Sequence, residues 1–183
     1  SQGNTSSLGD WRNTLCFIAD DEDSGLHLNQ SNALANYMQA NFPVYNIDKI
    51  FLDAYGQVFT PGGQRYPTVN EAIDRRMERG ALIINYTGHG GETGWAAERI
   101  LDNNMIQSWS NIRKLPLFIT ATCEFSRYDD PGRTSSGELV FINSEAGSVA
   151  LMSTTRLVYA SQNAVLNSAM ITSLFQSGTS VKP

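Results

Sequence analysis

Five short apolar runs constrain the fold of this chain most strongly, because each has the length, the β-branched content and the turn-like flanks of a β-strand. The third, fourth and fifth runs show no alternation of apolar and polar residues, which is typical of strands covered on both faces. The second run alternates more and is predicted to lie toward an edge of the sheet. The predicted strands are Thr14–Ala19, Val44–Leu52, Leu82–Tyr86, Leu117–Ala121 and Ser148–Met152.

Helical segments separate most of these runs. Two of them open on capping-box patterns, one at Thr68–Glu71 and one at Ser135–Glu138. Alternating strands and helices predict an α/β fold with three layers, in which a mainly parallel central sheet is flanked by helices. The predicted helices are Asn29–Asn41, Thr68–Arg79, Ser135 to near Gly147, and Asn163–Gln176, and the predicted loop is Gln57–Tyr66.

The size and charge of the chain narrow its class. With 183 residues it is long enough for a single domain with a sizeable core, and we interpret residues 1–183 as one domain cut from a larger protein. The net charge of −5 argues against a nucleic-acid partner, which usually requires a basic face. No apolar run approaches the roughly 20 residues of a membrane-spanning helix, and the polar residues 1–10 predict no signal peptide in this sequence.

Side chains of a catalytic type follow two neighbouring runs. In a parallel sheet the ligand site lies outside the C-terminal ends of the strands. His89 lies between glycines just after the third run, and Cys123 follows the fourth run. Neighbouring parallel strands would bring both side chains to one edge of the sheet, so the sequence predicts a Cys123 nucleophile with His89 as general base and acid. The pattern alone leaves open that both side chains are structural.

The chemistry of acyl transfer identifies further candidates. A free cysteine thiol has a pKa of about 8.5, so it needs a base to become a thiolate at neutral pH. The tetrahedral intermediate needs backbone donors, and the amides of Gly90 and Cys123 are the candidate oxyanion hole, because glycine admits a close backbone approach. The other cysteine, Cys16, lies inside the first run and is predicted to be a buried core thiol.

An acidic cluster, Asp20–Asp23, ends the first predicted strand. Four carboxylates in a row suit a hard cation such as calcium, although adjacent side chains rarely converge, and solvated loop charges are the alternative. His27 follows the cluster and is predicted to be either a surface residue at a helix entry or a group behind the catalytic pair. The spacing of the two cysteines and two histidines predicts no zinc site, and no cofactor is expected to be required.

The segment Asn85–Trp95 reads Asn-Tyr-Thr-Gly-His-Gly-Gly-Glu-Thr-Gly-Trp and resembles the gingipain family of secreted bacterial cysteine peptidases, in the caspase–hemoglobinase superfamily. The residues around Cys123, Ala-Thr-Cys-Glu-Phe, lack the local caspase pattern. The resemblance covers roughly Leu15 to Leu174. Within the gingipain family, the chain most resembles the PorU-type signal peptidases of the type IX secretion system. It implies a caspase-like fold and a cysteine endopeptidase, secreted or held at the outer-membrane surface. Such enzymes remove C-terminal sorting signals from cargo and join the cargo to a lipopolysaccharide anchor, with other secretion-system components as partners.

The resemblance also implies roles for individual residues. His89 and Cys123 would be catalytic, and one member of the acidic cluster (Asp20, Asp21, Glu22 or Asp23) would stand behind the histidine. Ser153–Arg156 would help to form the pocket for the residue before the scissile bond, where Arg156 would either bind a carboxylate or lie exposed. Trp95 would either pack over the His89 loop or form a wall for the substrate. The candidate pocket residues are Thr122, Trp95, Ser153, Thr154 and Arg156.

Two other functions are compatible with the sequence. A caspase-like domain without activity could serve as a docking module within a secretion complex. A small-molecule binder with a flavodoxin-like sheet would need a phosphate-binding loop, and the segment Gly88–Gly91 does not match a nucleotide-binding fingerprint. The cysteine peptidase is therefore the main prediction.

Overall fold

The structure is a computed structural model that describes residues 9–176, and its centre is a five-stranded sheet. All neighbouring strands of this sheet run parallel. This arrangement confirms the predicted α/β fold, and the second apolar run does form an edge strand. The strands are β1 (Thr14–Ala19), β2 (Asn46–Phe51), β5 (Ile83–Thr87), β9 (Leu117–Ala121) and β10 (Ala150–Met152). Their order across the sheet is β10-β9-β5-β1-β2.

Helices cover both faces of the sheet. Leu15 and Phe17 of β1 belong to one apolar core, and Cys16 and Ile18 belong to another, because successive side chains of a strand point to opposite faces. Burying such a side chain fully contributes roughly 1.5–3 kcal/mol for a leucine, isoleucine or phenylalanine. The first core is completed by α1 (Leu26–Asn41) and α5 (Ala160–Phe175), and the second by α2 (Pro67–Arg79), α3 (Asn103–Ser108) and α4 (Ser136–Ile142).

The start of α2 differs from the prediction for a local reason. The predicted capping box at Thr68–Glu71 does not form, since α2 begins at Pro67 and its N-cap residue, Tyr66, makes no side-chain capping hydrogen bond. Proline is favoured at the first helical position because its missing N–H would have no partner there. The box at Ser135–Glu138 is confirmed, with both of its hydrogen bonds present.

Other boundaries shift by several residues. The first helix begins at Leu26 rather than Asn29, and α4 ends at Ile142, well before Gly147. The last helix begins at Ala160 rather than Asn163. The predicted loop Gln57–Tyr66 contains a hairpin of β3 (Val58–Thr60) and β4 (Gly63–Arg65).

A small antiparallel sheet that the sequence pattern does not predict follows His89. Its strands are only two residues long, which explains why they carry no periodic signal. Gly94 is required within it, because a Cβ at this position would lie 1.9 Å from the carbonyl oxygen of Leu101. The strands are β6 (Gly90–Gly91), β7 (Gly94–Trp95) and β8 (Leu101–Asp102).

The chain reverses its direction of travel across the main sheet between β1 and β5. From β1 it moves outward to β2, and it then crosses to β5, β9 and β10 on the other side. Ligands of open parallel sheets bind outside the C-terminal ends of the strands at such a switch point. Within residues 9–176, we find no helix with the length and apolar character that crossing a membrane requires.

Candidate active site

The backbone of His89 is held tightly at the end of β5. Its N–H donates to Asp20 Oδ2 at 2.9 Å, and its carbonyl oxygen accepts a hydrogen bond from the Tyr86 hydroxyl at 2.6 Å. Gly88 is needed for this approach, because a Cβ there would lie 2.4 Å from the Asp20 Cβ. Burial raises the pKa of Asp20 to about 6, against the opposing effect of the hydrogen bond from the His89 N–H.

The imidazole of His89 is oriented by Asp23. Its Nε2 lies 3.0 Å from Asp23 Oδ2 and 3.6 Å from Glu22 Oε2. The hydrogen bond from His89 lowers the pKa of Asp23, so this carboxylate is ionised at neutral pH and acts only as an acceptor. Nε2 therefore carries the proton, which leaves Nδ1 of the neutral ring free of a proton and able to act as a base.

The remaining acidic candidates lie elsewhere. Asp20 contacts the backbone of His89 rather than its ring, and Asp21 Oδ2 accepts a hydrogen bond from the Tyr66 hydroxyl at 2.6 Å. Asp23 reaches the ring because residues 23–25 all have positive φ, with values of 56°, 55° and 78°. This left-handed stretch turns the chain sharply just before α1.

His27 is part of the same group of side chains. It is 4% exposed, and its Nε2 lies 3.2 Å from the Asp23 Oδ2 that also binds His89. The two imidazole rings meet edge to face with centroids 5.1 Å apart, and burial lowers the pKa of His27. The surface interpretation of His27 is therefore wrong. Helical spacing could not have found this contact, because Asp23 lies before the start of α1, in the left-handed stretch of residues 23–25.

Cys123 lies just past the end of β9 and is half-buried. Its Sγ is 3.7 Å from the carbonyl oxygen of Val158. The neighbouring backbone is braced, because the Glu124 N–H donates to the Arg156 carbonyl oxygen at 3.3 Å and the Thr154 hydroxyl donates to the Thr122 carbonyl oxygen. The sulfur is therefore held at the sheet edge next to the segment that leads into α5.

Cys123 and His89 line one cleft of about 180 Å³. The structure thus brings together the two side chains that the sequence predicts as a catalytic pair. Asp23, His27 and the candidate pocket residue Thr122 line the same cleft. The wall that sequence reasoning missed comes from the start of α5 and the turn before it, namely Val158, Tyr159, Ala160, Asn163 and Ala164.

Three of the predicted pocket residues, Ser153, Thr154 and Arg156, do not line this cleft, and their part in a substrate pocket stays a prediction. The Ser153 hydroxyl accepts a hydrogen bond from Thr120 at 2.8 Å, and Thr154 is engaged with the backbone of the Cys123 loop. Both guanidinium NH groups of Arg156 bind Asp129 in an exposed ion pair. The Ser153–Arg156 segment therefore supports the Cys123 loop from behind instead of lining the cleft.

Trp95 does not line the cleft that holds Cys123, and its role as a substrate wall stays a prediction. Its ring is fully buried and stacks on Tyr86 with centroids 4.4 Å apart, so it packs under the loop that carries His89.

Gly90 lies against the Cys123 loop, since a Cβ there would be 2.5 Å from Thr122 Oγ1. The oxyanion-hole role of the Gly90 and Cys123 amides stays a prediction. A second groove, of about 640 Å³, borders His89 and Gly90 on the side of the small sheet.

The other cysteine differs sharply from Cys123. Cys16 is fully buried in β1, as predicted. Burial raises the pKa of its thiol well above the usual value, and the nearby Asp48 carboxylate raises it further. Cys16 is therefore a core thiol, and the chemistry of the cleft depends on Cys123.

A parallel sheet with helices on both faces and a histidine and a cysteine at its C-terminal edge defines a caspase-like domain of the gingipain type. The chain belongs to peptidase family C25, whose family model matches residues 1–182. No curated protein sequence matches the chain.

Several solved structures share the fold, and three of them are compared with the chain as follows. The crystal structure of the Arg-specific cysteine proteinase gingipain R (RgpB) is 19% identical, with a TM-score of 0.72 over 90% of this chain and 37% of that one. The complex of Porphyromonas gingivalis RgpB pro- and mature domains is 18% identical, with a TM-score of 0.74 over 93% and 39%. A structure described only as a protease is 17% identical, with a TM-score of 0.66 over 90% and 33%. The chain therefore spans less than two-fifths of each of these proteins.

Proposed function

We propose that this domain carries the catalytic centre of a gingipain-type cysteine endopeptidase. The observation that supports the proposal most directly is the shared cleft, in which Cys123 lies with a histidine whose ring is oriented by Asp23. A nucleophile, a base and a group that orients the base are the parts that covalent acyl transfer needs.

In the proposed mechanism, Nδ1 of His89 takes the proton of the Cys123 thiol. The thiolate attacks the carbonyl carbon of the scissile peptide bond, and backbone amides stabilise the oxyanion of the tetrahedral intermediate. The C–N bond then breaks, and His89 returns the proton to the leaving amine. Water attacks the remaining thioester with His89 as base, which releases the carboxylic acid and regenerates the thiol. Asp23 stabilises the imidazolium that forms in each proton transfer.

We further propose that the substrates are secreted proteins whose C-terminal sorting signals are removed at the outer-membrane surface. The support is that the block Asn85–Trp95 resembles the gingipain family and that, within this family, the chain as a whole resembles the PorU-type signal peptidases of type IX secretion. If an amine, such as a group on a lipopolysaccharide anchor, replaces water at the thioester, the same site joins the cargo to that amine. Other secretion-system components would be the partners that deliver the cargo.

Hydrolysis and transpeptidation give products of different mass. We expect the full-length protein that contains this domain to shorten a cargo fusion carrying a C-terminal sorting signal. Mass spectrometry should find a free carboxylate on the product, and addition of a small primary amine should convert part of it to the corresponding amide. A fusion that lacks the sorting signal is the control. Equal cleavage of both fusions would contradict the proposed substrate class, and cleavage of neither would contradict the proposed activity.

The two cysteines should differ in reactivity. We expect iodoacetamide near neutral pH to alkylate Cys123 about 100-fold faster than Cys16 or more, because Cys16 is fully buried and its pKa is raised. Peptide mapping by mass spectrometry measures both rates in one sample. In the Cys123→Ser variant the fast phase should disappear. Equal and slow labelling of both thiols would instead favour a catalytically inactive docking module.

A further inference from the structure

His27 is a buried titratable residue that the proposed mechanism does not use. It lies in the first turn of α1 and is 4% exposed. Its Nε2 lies 3.2 Å from Asp23 Oδ2, and the same oxygen lies 3.0 Å from Nε2 of His89. A single carboxylate oxygen therefore joins two imidazole rings, one of which belongs to the proposed base.

The position of the proton on His27 follows from its surroundings. Burial lowers the pKa of His27, and the neighbouring His89 lowers it further, so the ring is neutral at neutral pH. Asp23 is ionised and can only accept hydrogen bonds, so the one proton of the His27 ring lies on Nε2 and is donated to Asp23 Oδ2. Nδ1 of His27 is buried without a partner. Across residues 9–176, the contact with Asp23 is therefore the only hydrogen bond of this ring.

The Asp23 carboxylate is poorly restrained without this donor. Its side chain is 48% exposed, and the residue lies in the left-handed stretch before α1 rather than in the helix itself. A half-exposed carboxylate can rotate toward water and lose its direction. A donor on the first turn of α1 opposes this rotation by occupying one lone pair of Oδ2, which leaves the other lone pair directed at His89.

We propose that His27 is a positioning residue of the peptidase site, which holds the Asp23 carboxylate and, through it, the imidazole of His89 in the orientation that activates Cys123. The inference rests on the proposed function, because the geometry of His89 matters only if this residue acts as the base. Such geometry has a large effect on rate, since a misplacement of about 1 Å can cost about 100-fold.

Two substitutions separate the hydrogen bond of His27 from its bulk. His27→Gln keeps a donor, because Nε2 of a glutamine lies as many bonds from the backbone as Nε2 of a histidine, whereas His27→Leu fills the space without a donor. In the full-length protein that contains this domain, we expect His27→Leu to lower kcat/KM by about 10-fold and His27→Gln to lower it by less than about 3-fold. The loss should lie in kcat, because a ring that is 4% exposed offers almost no surface to a substrate. The exposed Gln39→Leu variant of the same helix is the matched control and should keep the wild-type kcat/KM.

Stability measurements and a double-mutant cycle distinguish positioning from a purely structural role. Water can replace the lost donor at the half-exposed Asp23, so His27→Leu should keep its Tm within about 3 °C of the wild-type value. If His27 acts through Asp23, His27→Leu should lower kcat/KM by less than about 2-fold in an Asp23→Ala background. An equal loss with and without Asp23, or a His27→Gln variant as impaired as His27→Leu, would overturn the inference.

Alkylation of Cys123 keeps this inference separate from the proposed function. Labelling of Cys123 by iodoacetamide in the wild type tests the function, which fails if Cys123 reacts no faster than Cys16. Where the wild type labels rapidly, we expect His27→Leu to react about 10-fold more slowly, because the base is then less well oriented. An unchanged labelling rate in His27→Leu would overturn the role of His27 and leave the catalytic pair of Cys123 and His89 in place.

Discussion

Replacing Cys123 with serine should abolish peptide-bond cleavage, lowering kcat/KM by about 10,000-fold or more. A serine hydroxyl in place of the thiol is a far poorer nucleophile, and His89 is positioned for a thiol proton. The fold should be retained, because Cys123 is half-buried and its sulfur makes only a long contact, of 3.7 Å, to a carbonyl oxygen. Cleavage assays paired with urea unfolding measure both quantities, and we expect the free energy of unfolding to change by less than about 1 kcal/mol.

Cys16→Ser is the matched control for this substitution. It should keep its kcat/KM and lose stability, by about 1–3 kcal/mol, because it places a hydroxyl in the fully buried interior of β1. The two variants should therefore show opposite patterns of activity and stability. A Cys123→Ser protein that cleaves substrate at the wild-type rate would show that another nucleophile carries the reaction.

The central sheet is predictable from the sequence because its signal is local. A run such as Leu117–Ala121 has no polar face, which is typical of a strand covered on both sides, and β9 has the same bounds. Helices between the runs then require parallel strands with crossover connections. The edge that carries His89 and Cys123 follows from that topology, and this is why the pair could be proposed from sequence.

The choice of Asp23 among the acidic residues could not be predicted. Four adjacent carboxylates are equivalent in a sequence pattern, and the choice depends on the backbone. Positive φ at Asp23 and Ser24 turns the Asp23 carboxylate toward His89 and leaves Asp20 against the backbone of the same residue. Such conformations are strained for residues other than glycine, so no propensity argument predicts them.

The α5 wall of the cleft depends on contacts between distant residues. Asn167 of α5 and Asn85 of β5 exchange side-chain hydrogen bonds of 2.6 and 3.1 Å in the buried interior, and this pair fixes how the helix lies on the sheet. Tyr159, the N-cap residue of the same helix, lines the cleft together with Cys123. Residues so far apart in sequence carry no local signal of their pairing.

His89→Ala should lower kcat/KM by about 1,000-fold or more, because the thiol then loses both its base and the acid that protonates the leaving amine. Asp23→Asn should have a smaller effect, of about 10–100-fold. An amide can still accept the Nε2 proton at the observed 3.0 Å, yet it carries no charge to stabilise the imidazolium. Steady-state kinetics on a peptide substrate, with circular dichroism to verify folding, measure these losses.

Glu22→Gln is the matched control for Asp23→Asn, because both carboxylates lie near the same imidazole nitrogen. Glu22 is 3.6 Å from Nε2, which is too far for a good hydrogen bond, so its loss should change kcat/KM by less than about 3-fold.

Alkylation rates give an independent readout of the role of His89, since iodoacetamide needs the thiolate but no leaving-group acid. If His89 activates the sulfur, the His89→Ala variant should react with iodoacetamide much more slowly at neutral pH than the wild type. Alkylation of Cys123 at the wild-type rate in that variant would mean that His89 does not act as its base.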